Sequence, residues 1–526
     1  MKKLIILVFV FAALFMRGQQ TNTDLSNYPY YDAEPTLAAN PTNPSNLIAA
    51  WMKATGLNQV SIACVYSNDG GASWSSPALL PHVSASFTCA DVSITFNAGG
   101  TAYICYIDSK INLDSGYVVV AKSLNGGQTW STPVKVLSAQ EKPDLPVDRP
   151  WIAVDNTSGS YSGRVYVVSK GYFAAPLPHH VWMKSSADGG LTWSSIKQLD
   201  DSIPTDQVTN SMGVPAVGAD GHLYVAYASY HPSQNVYARM VCTQSADGGA
   251  SFMPYIIGNY AANSGVTDTL FDAGYTLSCD PTHAGVLAYT GTDARNGDPD
   301  ILTWHSTDGG LTWSSTPTRV NNDPVGNGIG QDMCWAAFTA NGYFVVWRDR
   351  RASGTSGSSA PFEVYAAGSS DNGQSYWSNQ KLSTAASPVI KLHRGNDFLG
   401  VAVGGFQVST CWGDNRTGNI EIYTASIETT QLIPDLVVEI PPALPITCYP
   451  SPTDGSLHIS FSPHNEGTVT LAVYDLQGKA VMQLPARAVH PGRNELIIDV
   501  PQLAPGYYIL RTSGQNLEGE TRFEKR

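Results

Sequence analysis

Three short steps of one kind carry side chains able to do chemistry: Asp293-Ala-Arg295, Asp349-Arg-Arg351 and Asp414-Asn-Arg416. A carboxylate two residues before a guanidinium can orient it. An oriented guanidinium grips a carboxylate or sulfate through two parallel hydrogen bonds. The segments after the first and third steps are also alike, Asn296-Gly-Asp-Pro-Asp-Ile301 beside Thr417-Gly-Asn-Ile-Glu-Ile422. Two readings stand together: an anion-binding cluster, and repeated ion pairs that pin one unit to the next. A second set of charges opens apolar segments: Asp32 with Glu34, Asp91, Asp148 with Arg149, Asp332, and Arg394 with Asp397. Pairs of carboxyl groups suit glycoside hydrolysis, where one acid protonates the leaving group and another activates water or attacks.

Composition narrows the partners. The 526 residues carry a net charge of -13, with 14% charged residues, 48 Gly and 12 Trp. This suits a turn-rich all-β protein and argues against a nucleic-acid partner. Eight cysteines, at 64, 89, 105, 242, 279, 334, 411 and 448, show no disulfide-like spacing. Cys64, Cys105, Cys242 and Cys411 lie in apolar runs and read as buried thiols. No Cys-x-x-Cys or His-x-x-x-His pair appears, which argues against zinc. Calcium is a candidate cofactor because it accepts several carboxylate oxygens, although no EF-hand loop is present.

The elements that must position these residues are marked by a repeated turn. It reads Ser67-Asn-Asp-Gly-Gly-Ala-Ser-Trp74, Ser123-Leu-Asn-Gly-Gly-Gln-Thr-Trp130, Ser186-Ala-Asp-Gly-Gly-Leu-Thr-Trp193, Ser245-Ala-Asp-Gly-Gly-Ala-Ser-Phe252, Ser306-Thr-Asp-Gly-Gly-Leu-Thr-Trp313 and Ser369-Ser-Asp-Asn-Gly-Gln-Ser-Tyr376. A fixed period near sixty residues means a repeat architecture. Asp and Ser side chains can bond to turn N–H groups, and Gly supplies positive φ. Each copy follows a strand-like run, so each closes a β-hairpin. Asn125 in the second copy supports a structural role, since an amide can hold the turn but cannot act as a carboxylate base. Reading outward gives seven first strands, beginning near Pro35, Val92, Pro150, Gly213, Ala273, Met333 and Phe398.

The turn resembles the Asp-box, or bacterial neuraminidase repeat, of sialidases and other β-propellers. The resemblance implies an all-β propeller over 21–428. Seven first strands against six boxes predict seven blades, the last completed by the N-terminal segment; six blades, as in sialidases, is the alternative. In that family each box joins the third and fourth strands of a blade. The opposite face then collects the starts of first strands and the ends of second strands. By this assignment seven of the ten arginines between residues 21 and 428 share one face. The candidate catalytic residues are Asp32, Glu34, Asp91, Asp148, Asp332 and Asp397. The candidate ligand-binding residues are Arg149, Arg295, Arg348, Arg351, Arg394 and Arg416. Tyr172, Trp51, Trp347 and Trp412 also fall there, the three tryptophans reading better as blade packing than as sugar platforms. Tyr230, His231 and Asp272 fall on the same face, with His231 read as an ordinary loop residue. Where sialidases carry Arg-Ile-Pro before the first box, this chain has Asp32-Ala-Glu-Pro35.

The ends speak to location. Met1-Lys-Lys before an apolar run reads as a secretory signal peptide over 1–20. No other segment reads as transmembrane. Pro434, Pro441, Pro442 and Pro445 mark a linker over 429–446. Beyond it, Tyr449-Pro-Ser-Pro-Thr-Asp-Gly455, Val473-Tyr-Asp-Leu-Gln-Gly-Lys479, Leu503-Ala-Pro-Gly-Tyr-Tyr-Ile-Leu510 and Phe523-Glu-Lys525 resemble the type A C-terminal sorting domain of the type nine secretion system. That resemblance implies a small β-sandwich over 447–526, read by the secretion machinery, on a secreted or cell-surface protein. The expected function is an exported propeller that binds, or as an exo-glycosidase of sialidase type cleaves, an acidic or sulfated glycan without a required cofactor. A non-catalytic glycan-binding or adhesion propeller is the alternative.

Overall fold

The computed structural model describes residues 21–26, 31–56, 59–172, 174–176, 178–200, 212–229, 239–260, 274–354, 360–388, 398–434, 446–463, 467–476, 479–514 and 519–526. The expected signal peptide, Tyr230, His231, Asp272, Arg394, Asp397 and linker residues 435–445 lie outside the described residues.

The chain divides into two compact units, 1–436 and 437–526. The first is an all-β propeller body. Among its described residues are seven four-stranded antiparallel sheets. Their first strands are Asp32–Asn40, Thr88–Phe96, Asp148–Val154, Val214–Val217, Tyr275–Cys279, Gln331–Thr339 and Leu399–Gly404. In chain order each packs beside the next, and Leu399–Gly404 packs beside Asp32–Asn40. The last sheet takes its fourth strand from the other end of the sequence: Thr23–Asp24 pairs with Glu421–Glu428. A helical turn, Thr429–Leu432, packs against the strand Glu363–Ser369, with Leu432 and Ile433 buried.

Burial follows from sheets stacked face to face. The second strands are apolar on both sides; Val165–Lys170 is buried at every position. A short continuous apolar run of this kind is the signature of a fully covered strand. The outer strands are brief, as in Ala78–Leu79 and Thr318–Arg319, which limits exposed edges.

The repeated turn joins the third strand of a sheet to the fourth in six of the seven sheets. In the third sheet, Gly190 N–H donates to Ser186 Oγ at 2.8 Å, and Ser186 Oγ donates to Asp188 Oδ1 at 2.7 Å. Thr192 N–H and its hydroxyl donate to the two oxygens of the same carboxylate. Asn125 holds its turn in the same way, accepting from Thr129 N–H at 3.0 Å. The last copy has Asn372 in place of the first Gly, at φ 63°, a conformation Asn tolerates. Several turns also dock on the preceding sheet: the carbonyls of Gly126, Gly189 and Gly248 accept from Asn46, Lys122 and Arg164. At Gly127, φ 91°, an added Cβ would lie 2.8 Å from Ile48.

The second unit has a three-stranded and a five-stranded sheet, the short strand Arg487–Val489 of the latter pairing beside the main path onto Gly467–Tyr474. Leu457, Ile459, Phe461, Leu471, Val473, Leu510 and Phe523 form one core between them.

The turn carboxylates give an acid-sensitivity prediction. Hydrogen bonds from Ser73 hold Asp69, and those from Ser251 hold Asp247, down to about 2. Groups held low stabilise the fold above the ordinary Asp value of ~3.9 and lose that contribution as pH falls towards the folded value. Thermal stability should therefore drop between pH ~4 and ~2. Ser186→Ala, which orphans a buried N–H, should cost about 1–3 kcal/mol in denaturant unfolding. Asp188→Asn should keep the turn folded, as Asn125 does, with a small loss of melting temperature at neutral pH that vanishes in strong acid.

Candidate functional site

The end of each sheet opposite the repeated turn collects the starts of first strands and the ends of second strands. Here charges meet across the strand pair. Lys53 lies 3.3 Å from Asp32, Lys170 2.8 Å from Asp148, and Arg348 2.7 Å from Asp332. Arg348 donates through Nε and Nη2 to both oxygens of Asp332, and Arg350 adds a third bond at 2.9 Å. Burial opposes ionisation of Asp332, but the two guanidiniums overcome it and hold the carboxyl well below the usual range. At Asp32 burial wins over Lys53, and its value is raised.

Just inside these pairs the first strands bulge. Glu34, Asp91, Arg149 and Met333 have φ of 54°, 38°, 46° and 52°. The ladders shift register at Ala33/Thr36, Ala90/Val92, Asp148/Trp151 and Asp332/Trp335. A bulge re-aims the side chain it carries. In three consecutive sheets this brings Glu34, Asp91 and Arg149 together. Asp91 accepts from Arg149 N–H at 2.8 Å, and Glu34 is near enough to favour the ionised form of its carboxyl. Burial raises Asp91 and Asp148 adds to the rise, against Glu34 and Arg149. Lys170 is buried, and burial lowers its value against the pull of Asp148. Tyr172, half-buried, is raised by burial and by the charges of Asp148 and Asp91. Neighbouring carboxyl groups in a buried setting resist double ionisation, an arrangement that suits an acid beside a base.

One layer further along the strands, aromatic rings from distant sheets meet. Trp151 stacks on Trp335 with centroids 4.6 Å apart, and Phe398 meets Trp151 edge-on at 5.4 Å. The Arg149 guanidinium lies over Phe398.

The Asp-x-Arg steps are built differently. Arg295, Arg351 and Arg416 each fold back onto the carboxylate two residues earlier, at 2.9, 2.8 and 2.6 Å. Each guanidinium lies over an aromatic ring of its own sheet: Trp304, Tyr365 and Tyr423. Each also reaches the segment leaving the preceding sheet, through Asn259 O, Asn322 Oδ1 and Thr384 Oγ1. They pin neighbouring sheets and do not converge with Arg149. Trp51, Trp347 and Trp412 are fully buried, their Nε1–H groups bonded to Asp32, Asp349 and Asp414. They offer no face to a ligand.

Sequence reasoning passed over Lys53 and Lys170, and counted Arg350 on this face without giving it a role. The signal was present: Lys170 ends an apolar second strand and Lys53 lies near the end of another, and their partner strands open with Asp148 and Asp32. It also missed the Trp151–Trp335–Phe398 contact, which joins residues remote in sequence. No calcium-type cluster of carboxylates appears among the described residues. All eight cysteines are free, and Cys64, Cys105, Cys242 and Cys411 are buried.

Residues 447–523 match the secretion system C-terminal sorting domain. The tail is thus an export domain, and the protein is secreted or displayed at the cell surface. Among the described residues no helix is long and apolar enough to cross a membrane. No curated protein sequence matches the chain. Among solved structures, a protein of unknown function from Dyadobacter fermentans is 13% identical, covering 77% of this chain and 97% of its own, with a TM-score of 0.43. The NanB sialidase of Streptococcus pneumoniae is 14% identical over 79% of this chain and 70% of its own, at 0.39. The α-L-arabinanase of Penicillium chrysogenum is 12% identical over 79% and 100%, at 0.44.

Asp332→Ala leaves two largely buried guanidiniums without their carboxylate. It should destabilise the first unit by about 3 kcal/mol in denaturant unfolding. Because the carboxyl is held low, the wild-type advantage over the variant should persist above the ordinary Asp value and vanish in strong acid.

Proposed function

We propose that residues 21–428 form a closed ring of seven blades whose charged end is a glycan site. Support for the ring comes from the first strands packing in succession, last against first, and from Thr23–Asp24 completing the sheet of 399–428. Within the site, Glu34 and Asp91 share one proton and work as acid and base on a glycosidic bond. The observation that carries this reading is the carboxyl pair itself, seated on bulged strands against Arg149. General acid–base chemistry needs such a proton held near neutral pH, and burial with a neighbouring Asp148 raises Asp91 in that direction. Tyr172 lines the approach. Arg149 and Lys170 are the cations nearest the pair and favour an acidic or sulfated sugar. Arg295, Arg351 and Arg416 act instead as clamps between blades.

A second reading, glycan binding or adhesion without hydrolysis, draws on the ion pairing of Asp32, Asp148 and Asp332. Those carboxylates have structural partners already, which leaves Glu34 and Asp91 for chemistry among the described candidates.

The two readings separate on a panel of sialosides, uronic-acid oligomers, sulfated glycans and neutral arabinan. Hydrolysis predicts new reducing ends or free sugar with the wild type. Glu34→Gln and Asp91→Asn should each slow turnover about 10²–10⁴-fold. Variants as fast as the wild type would remove the carboxyl pair from the mechanism. Binding without any released sugar would leave the second reading standing.

A further inference from the structure

At the same end of the first two sheets, a separate cluster departs from the repeat. Asp108 stands next to last in its second strand, as Asp293, Asp349 and Asp414 stand last in theirs. In those three sheets the residue two positions on is an arginine that folds back onto the carboxylate. In the second sheet that residue is Lys110, which pairs with Asp114 at 3.1 Å. The Asp108 carboxylate, fully buried, faces His82 and Cys89 instead. His82 Nδ1 lies 2.7 Å from Asp108 Oδ1, and Cys89 Sγ lies 3.5 Å from His82 Nδ1 and 3.6 Å from Asp108 Oδ1.

We propose that His82, Cys89 and Asp108 bind one zinc-class transition-metal ion. Among the described residues, this is the group of three such side chains whose donor atoms all lie within 4.8 Å of one another. A tetrahedral zinc ion with Zn–S ~2.3 Å and Zn–N or Zn–O ~2.0–2.1 Å sets its ligand atoms about 3.5 Å apart. Both sulfur distances match that edge. The nitrogen–oxygen distance needs to open by about half an ångström. Thiolate, imidazole and carboxylate together suit a borderline-soft divalent ion better than calcium, which takes only oxygens.

The surroundings are those of a supported site. A ligating imidazole usually fixes its other ring nitrogen through a hydrogen bond. Here His82 Nε2 lies 2.9 Å from Ser61 Oγ. The second oxygen of Asp108 accepts from Val83 N–H. The His82 side chain is 16% exposed, which gives an ion an entry path and a solvent molecule the fourth position. Binding turns the Cys89 thiol into a thiolate and releases that proton to water. His82 sits on the segment between the first two sheets, Ser61 in the first and the other two ligands in the second. An occupied site therefore ties the two sheets together.

Ser61, His82 and Asp108 also form a hydrogen-bond chain in the order of a nucleophile triad. Ser61 lies within a paired strand, 4% exposed, with no opening for an acyl group. The metal reading uses every atom of the cluster, including Cys89.

The test uses the full chain, stripped with a chelator and titrated with Co²⁺ and then Zn²⁺. One equivalent of Co²⁺ should give a thiolate-to-cobalt charge-transfer band that Zn²⁺ abolishes, and Zn²⁺ should raise the melting temperature by several degrees. Cys89→Ser should lose the band, while Cys64→Ser should keep it. His82→Gln should weaken Co²⁺ at least tenfold and abolish the Zn²⁺ thermal shift; it decides the matter if Cys89→Ser does not fold. Absence of the band in the wild type, or an equal band in Cys89→Ser, would overturn the proposal.

Discussion

Charges placed inside a stack of sheets must be neutralised there, and that requirement shapes the whole functional end. Removing an ion from water costs several kcal/mol unless a partner is near. Three first strands meet it in one way, with Asp at the strand start and Lys or Arg across the ladder. Asp32 faces Lys53, Asp148 faces Lys170 and Asp332 faces Arg348. The partners come from neighbouring strands of one sheet, so their spacing is set by backbone hydrogen bonds and not by loops. A left-handed residue follows each pair, at Glu34, Arg149 and Met333, and recurs at Asp91 in a sheet that has no such pair.

The two rims of the propeller body solve the same mechanical problem with different chemistry. On one rim a Ser–Asp turn closes each hairpin, and its glycine carbonyls catch the sheet before it. On the other, an arginine lies over an aromatic ring, clasps its own Asp and reaches backwards to the previous sheet. Both devices are short and local, so they recur wherever the repeat recurs. The turn recurs in six of the seven sheets and the arginine in three consecutive ones, and that repetition marks both as construction. The proposed chemistry lies elsewhere: at the bulges of the first three sheets, and at Asp108, where lysine stands in place of the folded-back arginine.

The architecture was legible because it rests on local rules. Ser, Asp and paired Gly at fixed offsets announce a turn whatever surrounds them, and apolar runs between turns announce strands. The first strands were located to within a few residues; Asp32 and Asp148 proved to be inside them, because the bulges extend pairing past Pro35 and Pro150. Burial of Trp51, Trp347 and Trp412 was also readable, since each ends an apolar run. The engagement of Arg295, Arg351 and Arg416 with a preceding sheet was one of two readings the repetition allowed. What could not be read was convergence. Nothing in Cys89 and His82 separately signals Asp108, and nothing in Trp151 signals Trp335. Those meetings depend on how sheets are arranged in space, which no local pattern records.

The stack of Trp151 on Trp335, closed at its edge by Phe398, joins the third, sixth and seventh sheets just below the charged mouth. Three sheets whose strands share no ladder hydrogen bonds are thereby tied at one point, so a smaller side chain at Trp151 or Trp335 would loosen all three together.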